Sequence, residues 1–373
     1  MNGSVTSEAL VIGGGLAGAS TAYALASRGI SVTLCESQGQ LAPKASGNEW
    51  GLLMPYVATE NSAPGRLYAQ GFRFTHTMFS SGMAQRVSYH ECGAIQLPST
   101  KRLARIVTED TPCVGDVPMR RISADEGSAI SGVTLLNPSF HIPQAGYCKP
   151  AHVTEALVEN NARVSIKLAS RVIGLRWKIS SWTATLQDGG TISTPHVVLC
   201  GAYEIQSLPV AEWVPLEAIR GQTAQAIANN SSLKLRTIIS YDGYVTPSEE
   251  SQHFVGAHYR HNDFNPEPDD TDTQEIMSRL YRALPSISGL SVRSSRVCFR
   301  TSTFDRLPYI GALPLIEGRN LFINAGHGSR GLLTAPLGGE IIARHITNDP
   351  LGELEEAARI ASARRLEKKM PRR

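Results

Sequence analysis

The stretch EALVIGGGLAGASTAYALASRGISVTLCE, residues 8–36, opens the chain and sets its fold class. Ala9 to Ile12 is a short apolar run of the kind that forms a buried parallel strand. Gly13, Gly15 and Gly18 follow with G-x-G-x-x-G spacing: the first permits a tight turn, the second lets a phosphate approach the backbone, and the third lets helix pack on strand. Leu16 to Arg28 reads as a helix whose N-terminal amides and dipole face a pyrophosphate, and Gly29 stops it. Ser31 to Cys35 is a second strand, ending at Glu36, an acceptor for ribose hydroxyls about 20 residues beyond the glycines. Strand, turn, helix, strand and acid in this order describe a dinucleotide site. Glu36 disfavours a 2′-phosphate, which leaves NAD and FAD as alternatives to NADP.

A chain of 373 residues holds two domains with substantial cores, and 42% hydrophobic with 18% charged residues is an ordinary globular composition. No apolar run approaches the roughly 20 residues that span a bilayer. The N-terminal MNGSVTSEAL lacks the regions of a secretory signal, so a cytoplasmic location without membrane contact is expected. Cys35, Cys92, Cys113, Cys148, Cys200 and Cys298 are scattered without a C-x-x-C pair, as expected of reduced core thiols. His258 and His261 in HYRH have ligand-like spacing but no acid or thiol beside them, and no metal is expected. Charge is uneven: seven basic residues against Glu367 between Arg359 and Arg373 give that segment +6, leaving −3 for the rest of a chain of net +3. Such a segment either neutralises nucleic-acid phosphates or is a solvated end.

Further along, the loop APKASGNEWGLLMPYV precedes an expected helix over 65–79, a strand near 89–97 and an irregular stretch to Phe140 with a short helical segment. Pro150 suits the first turn of a helix running to about Asn160. Residues 163–168, 171–179, 182–187 and 196–200 read as strands, and HVVLCGA returns the chain to the nucleotide-binding sheet, ending at Gly201. From Gly221 to Val297 the chain is rich in β-formers and proline, with the polar loop RHNDFNPEPDDTDTQ. LFINAGHGSRGLLTAPLGGEIIARHI is then strand, glycine turn and helix, a second place where backbone amides meet a cofactor. The cofactor domain is thus discontinuous: 1–80, 148–220 and 297–350, with a substrate domain from 81–147 and 221–296 and a basic C-terminal tail over 351–373.

These motifs together resemble the FAD-dependent amine and amino-acid oxidase superfamily, which includes D-amino-acid, glycine and sarcosine oxidases. Within it KASGNEWGLLMP, RGQ at 220–222, CFRTSTFDRLPYIG and GHGSRGLLTAPLGGEI are most similar to the oxidase half of the bifunctional tRNA-modifying MnmC enzymes. The resemblance implies an α/β fold: a Rossmann-like FAD-binding domain of glutathione-reductase type, in the D-amino-acid-oxidase (DAO) subgroup, with an inserted α+β substrate domain on an antiparallel sheet. It implies FAD as cofactor and oxygen as acceptor. The implied reaction removes the carboxymethyl group from 5-carboxymethylaminomethyl-(2-thio)uridine at the tRNA wobble position, giving aminomethyl-uridine and glyoxylate. A methyltransferase domain precedes the glycine motif in the fused enzymes, so a free-standing oxidase with a separate methyltransferase partner is expected here. Other readings of the same fold are an oxidase of glycine, sarcosine or a D-amino acid, and a non-catalytic flavin-binding subunit.

Arg300 corresponds to the carboxylate-binding arginine of such oxidases, with a structural ion pair to a residue such as Asp305 as its alternative, and Tyr244 corresponds to the assisting tyrosine, with a plain core aromatic as its alternative. An arginine fork aims a carboxylate by paired, charge-assisted hydrogen bonds. Gly13, Gly14, Gly15, Leu16, Ala17, Gly18, Glu36, Ser46, Gly47, Asn48 and Gly201 are the expected cofactor residues of the first part of the chain. Gly328, Ser329, Arg330, Gly331 and Leu332 are expected beside the flavin ring, where Arg330 or the helix dipole stabilises negative charge on the reduced ring. His327 is similar to glycine oxidase rather than to the tRNA enzymes. Cys298 falls near a position of covalent flavin attachment, with a buried thiol as the alternative.

Overall fold

The computed structural model describes residues 5–57, 62–83, 86–99, 104, 119–314 and 320–369. Strand Ala9–Ile12 runs into the glycine turn, helix Leu16–Ala26 follows, and strand Val32–Cys35 returns parallel to the first with Ala9 opposite Val32. Both strands are buried along their whole length, as apolar strands in a covered parallel sheet must be. They belong to a six-stranded sheet in the order Tyr309–Ala312, Leu321–Ala325, His196–Leu199, Ala9–Ile12, Val32–Cys35, Val164–Lys167. All neighbours are parallel except Tyr309–Ala312, which runs antiparallel to Leu321–Ala325.

Both faces of this sheet are covered. Val11, Leu34 and Val198 pack under the helices Leu16–Ala26, Ala63–Met78 and Gly331–Thr347 through Leu25, Phe72 and Leu337. Leu10, Val197 and Leu199 pack on the opposite side against Trp182, Ala184 and Ile192 of a smaller sheet built from Val5–Thr6, Thr191–Thr194, Ser181–Leu186 and Val172–Lys178.

The remaining large sheet has eight strands, in the order Ser291–Ser302, Glu217–Ile227, Gln252–Arg260, Gly243–Val245, Ile238–Tyr241, Ala94–Gln96, Ser139–Ile142, Arg120–Ile122. It is antiparallel apart from the pairing of Ile238–Tyr241 with Ala94–Gln96. Strands Glu217–Ile227 and Ser291–Ser302 run unbroken through the boundaries expected at 220/221 and 296/297, so they carry the chain from one sheet system into the other.

Two readings of the sequence need correction. The stretch 260–274 is a loop only as far as Asp269, whose carboxylate accepts the Thr271 N–H at 2.7 Å and caps helix Asp270–Ala283. The acids that made it look like a loop sit where a helix N-terminus favours them. The helix buries Ile276, Met277 and Leu280 against the eight-stranded sheet. Beneath it lies the RGQ motif. Arg220, 1% exposed, donates to Asp272 at 2.5 Å and to the carbonyls of Asn265 and Glu267. Gln222 closes a pair of hydrogen bonds with the backbone of Asp269.

The second correction concerns the basic tail. Its described part is a 3-10 turn, Gly352–Leu354, a helix, Glu355–Ala361, and a 3-10 segment, Ala363–Lys369, all held on the fold. Ile360, Ala361, Ala363 and Leu366 are buried, and Arg365 bonds Asp305 at 3.1 Å and the carbonyls of Leu307 and Pro308. Apolar residues spaced between the arginines turn the segment inward; Arg372 and Arg373 lie outside the described residues. Leu366→Ala therefore lowers the unfolding free energy by about 2–5 kcal/mol, read from urea denaturation. A variant with unchanged stability would contradict this packing.

Candidate active site

The glycine turn is built by contact. Gly13 has φ +112°, and a Cβ on Gly18 would sit 1.8 Å from the Gly13 carbonyl oxygen, so the helix starts against the turn only because position 18 is bare. The Gly14 N–H donates to Glu36 Oε2 at 2.7 Å, while Glu36 Oε1 accepts from the Ser37 hydroxyl and the Gln38 N–H. This fixes a buried carboxylate at the end of the second strand with lone pairs left for ribose hydroxyls. The Leu16 N–H at the helix start donates to Ser46 Oγ at 2.9 Å, placing the 44–48 loop over the helix N-terminus where a pyrophosphate binds.

From this cradle a single cavity of about 530 Å³ runs to the eight-stranded sheet. Its wall includes Gly13, Gly15, Leu16, Ala17, Glu36, Ser46, Asn48, Gly201, Tyr244, Arg300, Gly328, Ser329, Arg330, Gly331 and Leu332. Three of the expected cofactor residues stand behind the wall: Gly14 orients Glu36, Gly18 packs on Gly13, and Gly47 lies against Ala42 and Arg296. The bare glycine turn, the anchored carboxylate and a cavity of this size fit an extended dinucleotide. The second glycine turn enters helix Gly331–Thr347 at the cavity, so its positive end faces the space.

Two guanidinium groups reach the cavity without a carboxylate partner among the described residues. Arg300 hydrogen-bonds the Tyr259 hydroxyl and lies 4.4 Å from the centroid of the Tyr259 ring. Asp305, the acid nearest in sequence, is held by Arg365. Arg330 lies 4.7 Å from the Tyr56 ring and 5.1 Å from the Tyr68 ring. Aromatic faces stabilise a cation while leaving its N–H groups available to an anion. Burial pushes the Tyr244 phenol well above its ordinary range, so it stays a protonated donor beside Arg300. His327 shares a hydrogen bond with Thr334 at 2.9 Å, and burial pulls it down to about 4, so it is neutral at physiological pH.

Cys298 is a buried thiol between Arg296 and Arg300 on the same strand, close to Tyr244 and Arg300 but not itself among the residues lining the cavity. In HYRH the histidines turn apart: His258 approaches Asp272 at 3.5 Å and His261 binds Glu217 at 2.8 Å. Among the described residues no His, Cys, Asp and Glu cluster suited to a metal is found. Tyr259 between them is the residue that reaches the site, and the sequence signal was hidden by its histidine neighbours.

Arg296 was also missed. It donates to Asn48 Oδ1 and to the Lys44 carbonyl, tying the edge strand that carries Arg300 to the loop over the cofactor cradle. Lys44 forms an ion pair with Glu204 on the other side of the same loop.

The family model described as FAD dependent oxidoreductase matches residues 8–345. The chain is 30% identical, over 92% of its length, to the "tRNA 5-methylaminomethyl-2-thiouridine biosynthesis bifunctional protein MnmC" of Pseudomonas entomophila, and equally so to that of Aeromonas hydrophila. It spans 57% and 56% of those two relatives, a little over half their length. Among solved structures, glycine oxidase from Geobacillus kaustophilus superposes with a TM-score of 0.79 at 22% identity, covering 93% of this chain and 96% of that one. L-proline dehydrogenase from P. horikoshii gives 0.81 at 18% identity, covering 99% and 100%. Both structures share the fold.

Removing the Arg296 tether frees the loop over the cradle. Arg296→Ala is expected to weaken flavin binding by about 1.5–3 kcal/mol, the scale of a charge-assisted hydrogen bond, measured as flavin retained per chain during dilution. Retention equal to wild type would remove the tether from the account.

Proposed function

We propose a function for a chain that belongs to the FAD-dependent oxidoreductase family: oxidative removal of the carboxymethyl group from 5-carboxymethylaminomethyl-uridine, or its 2-thio form, at the wobble position of tRNA. The observation that carries this reading is Arg300, a guanidinium in the cavity with a tyrosine partner instead of a carboxylate. Among the described residues no helix is long and apolar enough to cross a membrane, consistent with a nucleic-acid substrate met in solution.

The substrate side chain is an N-substituted glycine. Bound flavin supplies the acceptor for a hydride from its α-carbon, with oxygen as the final acceptor. Arg300 takes the carboxylate in a two-pronged pair, and the Tyr244 hydroxyl donates beside it, so the α-carbon is aimed toward the cofactor side of the cavity. The two electrons leave with the α C–H hydrogen; the amine nitrogen then loses its proton and is left as an imine. Addition of water to the imine carbon and cleavage of the C–N bond release glyoxylate and leave aminomethyl-uridine. Gly13, Gly15, Glu36 and Ser46 would hold the dinucleotide end of FAD. Gly328, Ser329, Arg330 and Gly331 would stand beside its ring, where the helix N-terminus and the Arg330 charge favour an anionic reduced form. Neutral His327 adds no charge there.

A small secondary amine or amino acid is the second reading, favoured by one observation. The loop at 261–269 brings Asp263, Glu267 and Asp269 near the strand of Tyr259, and acids disfavour phosphates. Arg260 pairs with Asp263, Asp269 and Asp272, and Arg220 with Asp272, which offsets part of that charge. A methyltransferase acting on the aminomethyl product belongs to the proposal as a partner activity.

The reaction is tested by incubating holoenzyme with tRNA carrying the carboxymethylaminomethyl group and analysing its nucleosides by mass spectrometry. Aminomethyl-uridine and an equal amount of glyoxylate are expected; unaltered tRNA contradicts the proposal. Arg300→Ala should lower kcat/KM by about 1.5–3 kcal/mol or more, at least roughly ten- to a hundredfold, because the carboxylate loses a charged hydrogen-bond partner. An unchanged kcat/KM would take Arg300 out of the site.

A further inference from the structure

Beyond Tyr244 the cavity continues along the eight-stranded sheet to a group of side chains that the chemistry above leaves unused. In register across three neighbouring strands, Tyr244 lies opposite Ser240 and Ser240 opposite Gln96. Side chains opposite one another share a face. The alternate residues Ile95, Ile239 and Val245 pack with Ile276 and Leu280 of helix Asp270–Ala283, on the far side of the sheet. Gln96, Ser240 and Tyr244 therefore share the cavity face, and all three are on its wall. Gly256, opposite Tyr244 on the next strand, leaves room for the ring: a Cβ there would meet the Tyr244 hydroxyl at 2.7 Å.

The Gln96 amide has a settled orientation. Its Nε2 donates to the carbonyls of Leu97 at 3.0 Å and Ser240 at 3.2 Å, and a carbonyl only accepts, so the nitrogen must point to them. Oε1 is left without a partner among the described residues, on a side chain only 8% exposed. The Ser240 hydroxyl has no described partner either. Among the described residues this end of the cavity, with Ser99 and Tyr241, carries no side chain charged at neutral pH, and burial pushes the Tyr241 phenol up.

Length separates the possible ligands. The strands of Tyr244 and Gln96 are two spacings apart, roughly 10 Å at about 4.8 Å each. A glycine or sarcosine anchored at Arg300 ends near Tyr244. A ligand that also meets Gln96 must extend past its amine as an uncharged group with an N–H donor and an adjacent acceptor. That is the edge of a pyrimidine ring.

We propose that Gln96 and Ser240 form a distal subsite for the ring of the substrate, in which Gln96 Oε1 accepts from the imide N–H and the Ser240 hydroxyl donates to a neighbouring ring carbonyl. The inference rests on the tRNA reading and specifies how the base is recognised. It gives the site a way to distinguish a carboxymethylamino group on uracil from the same group on a free amine. A fixed acceptor left facing an N-alkylated ring loses its hydrogen bond and discriminates strongly.

The test uses holoenzyme and the thioether isostere of the nucleoside, in which sulfur replaces the amine nitrogen so that the ligand is not an amine substrate. Binding is read from perturbation of the flavin visible band, for the parent and its N3-methyl derivative, in wild type and Gln96→Leu. N3-methylation is expected to weaken wild-type binding about tenfold and the variant's by less than about twofold. No N3 effect in wild type, or the same effect in both proteins, overturns the subsite. So does equal binding of (methylthio)acetate, which has no ring. If Gln96→Leu does not retain flavin, Gln96→Met and Ser240→Ala replace it, and the wild-type N3 comparison still decides. Nucleoside analysis of tRNA separates the two proposals. Turnover of tRNA without N3 discrimination removes only the subsite; N3 discrimination without turnover removes only the reaction.

Discussion

A guanidinium inside a protein cavity needs compensation, and the way Arg300 is compensated shapes the rest of the site. A buried carboxylate partner would neutralise it and occupy both prongs of its fork. Here compensation comes from the face and hydroxyl of Tyr259, which leave the fork open to an incoming anion. The C-terminal segment contributes at a distance, because Arg365 holds Asp305 and keeps the nearest acid in sequence engaged elsewhere. Segments far apart in the chain thus act on one charge: the edge strand carries it, a neighbouring strand supports it, and the last helical turns remove its competitor.

The same edge strand links the two sheet systems. Arg296 and Arg300 lie on Ser291–Ser302, one tied to the loop above the helix N-terminus and the other in the cavity. Residues of even number on a strand share a face, so their common orientation follows from the period of two. In the proposed reaction one rigid element would position both substrate charge and cofactor phosphate, which is how reacting groups are held to within a fraction of an ångström. The buried Arg220 and Gln222 network stiffens the neighbouring strand and the loop beside it.

Much of the cofactor cradle was legible in the sequence because local rules govern it. The glycine spacing, the apolar strand and Glu36 all act within residues 8–36, and their geometry follows from backbone sterics. The expected helix over 65–79 is Ala63–Met78, and the strand near 89–97 shrinks to Ala94–Gln96, where pairing partners exist. Long-range pairings were not legible. Tyr259 and Gln96 come to the cavity, and Arg296 to the loop over the cradle, from sheet register, which single-strand patterns do not encode. The packing of the basic segment on the fold was not legible because its charge was counted without the interleaved Ile360, Ala363 and Leu366. The acidic stretch before Asp270 hid a helix start for the same reason: composition resembled a loop, while the cap at Asp269 and the apolar spacing of 276, 277 and 280 made a helix.

In the proposed reaction a flavin and an N-substituted glycine attached to RNA share one cavity. Anaerobic mixing of the holoenzyme with stoichiometric tRNA bearing carboxymethylaminomethyl-uridine tests this most directly, with glycine, sarcosine and tRNA lacking the modification as comparisons. Rapid loss of the flavin visible band with the modified tRNA, and little or none with the others at the same concentration, is the predicted result. Bleaching by glycine or sarcosine with none by the modified tRNA would contradict it and make the protein an oxidase of small amines.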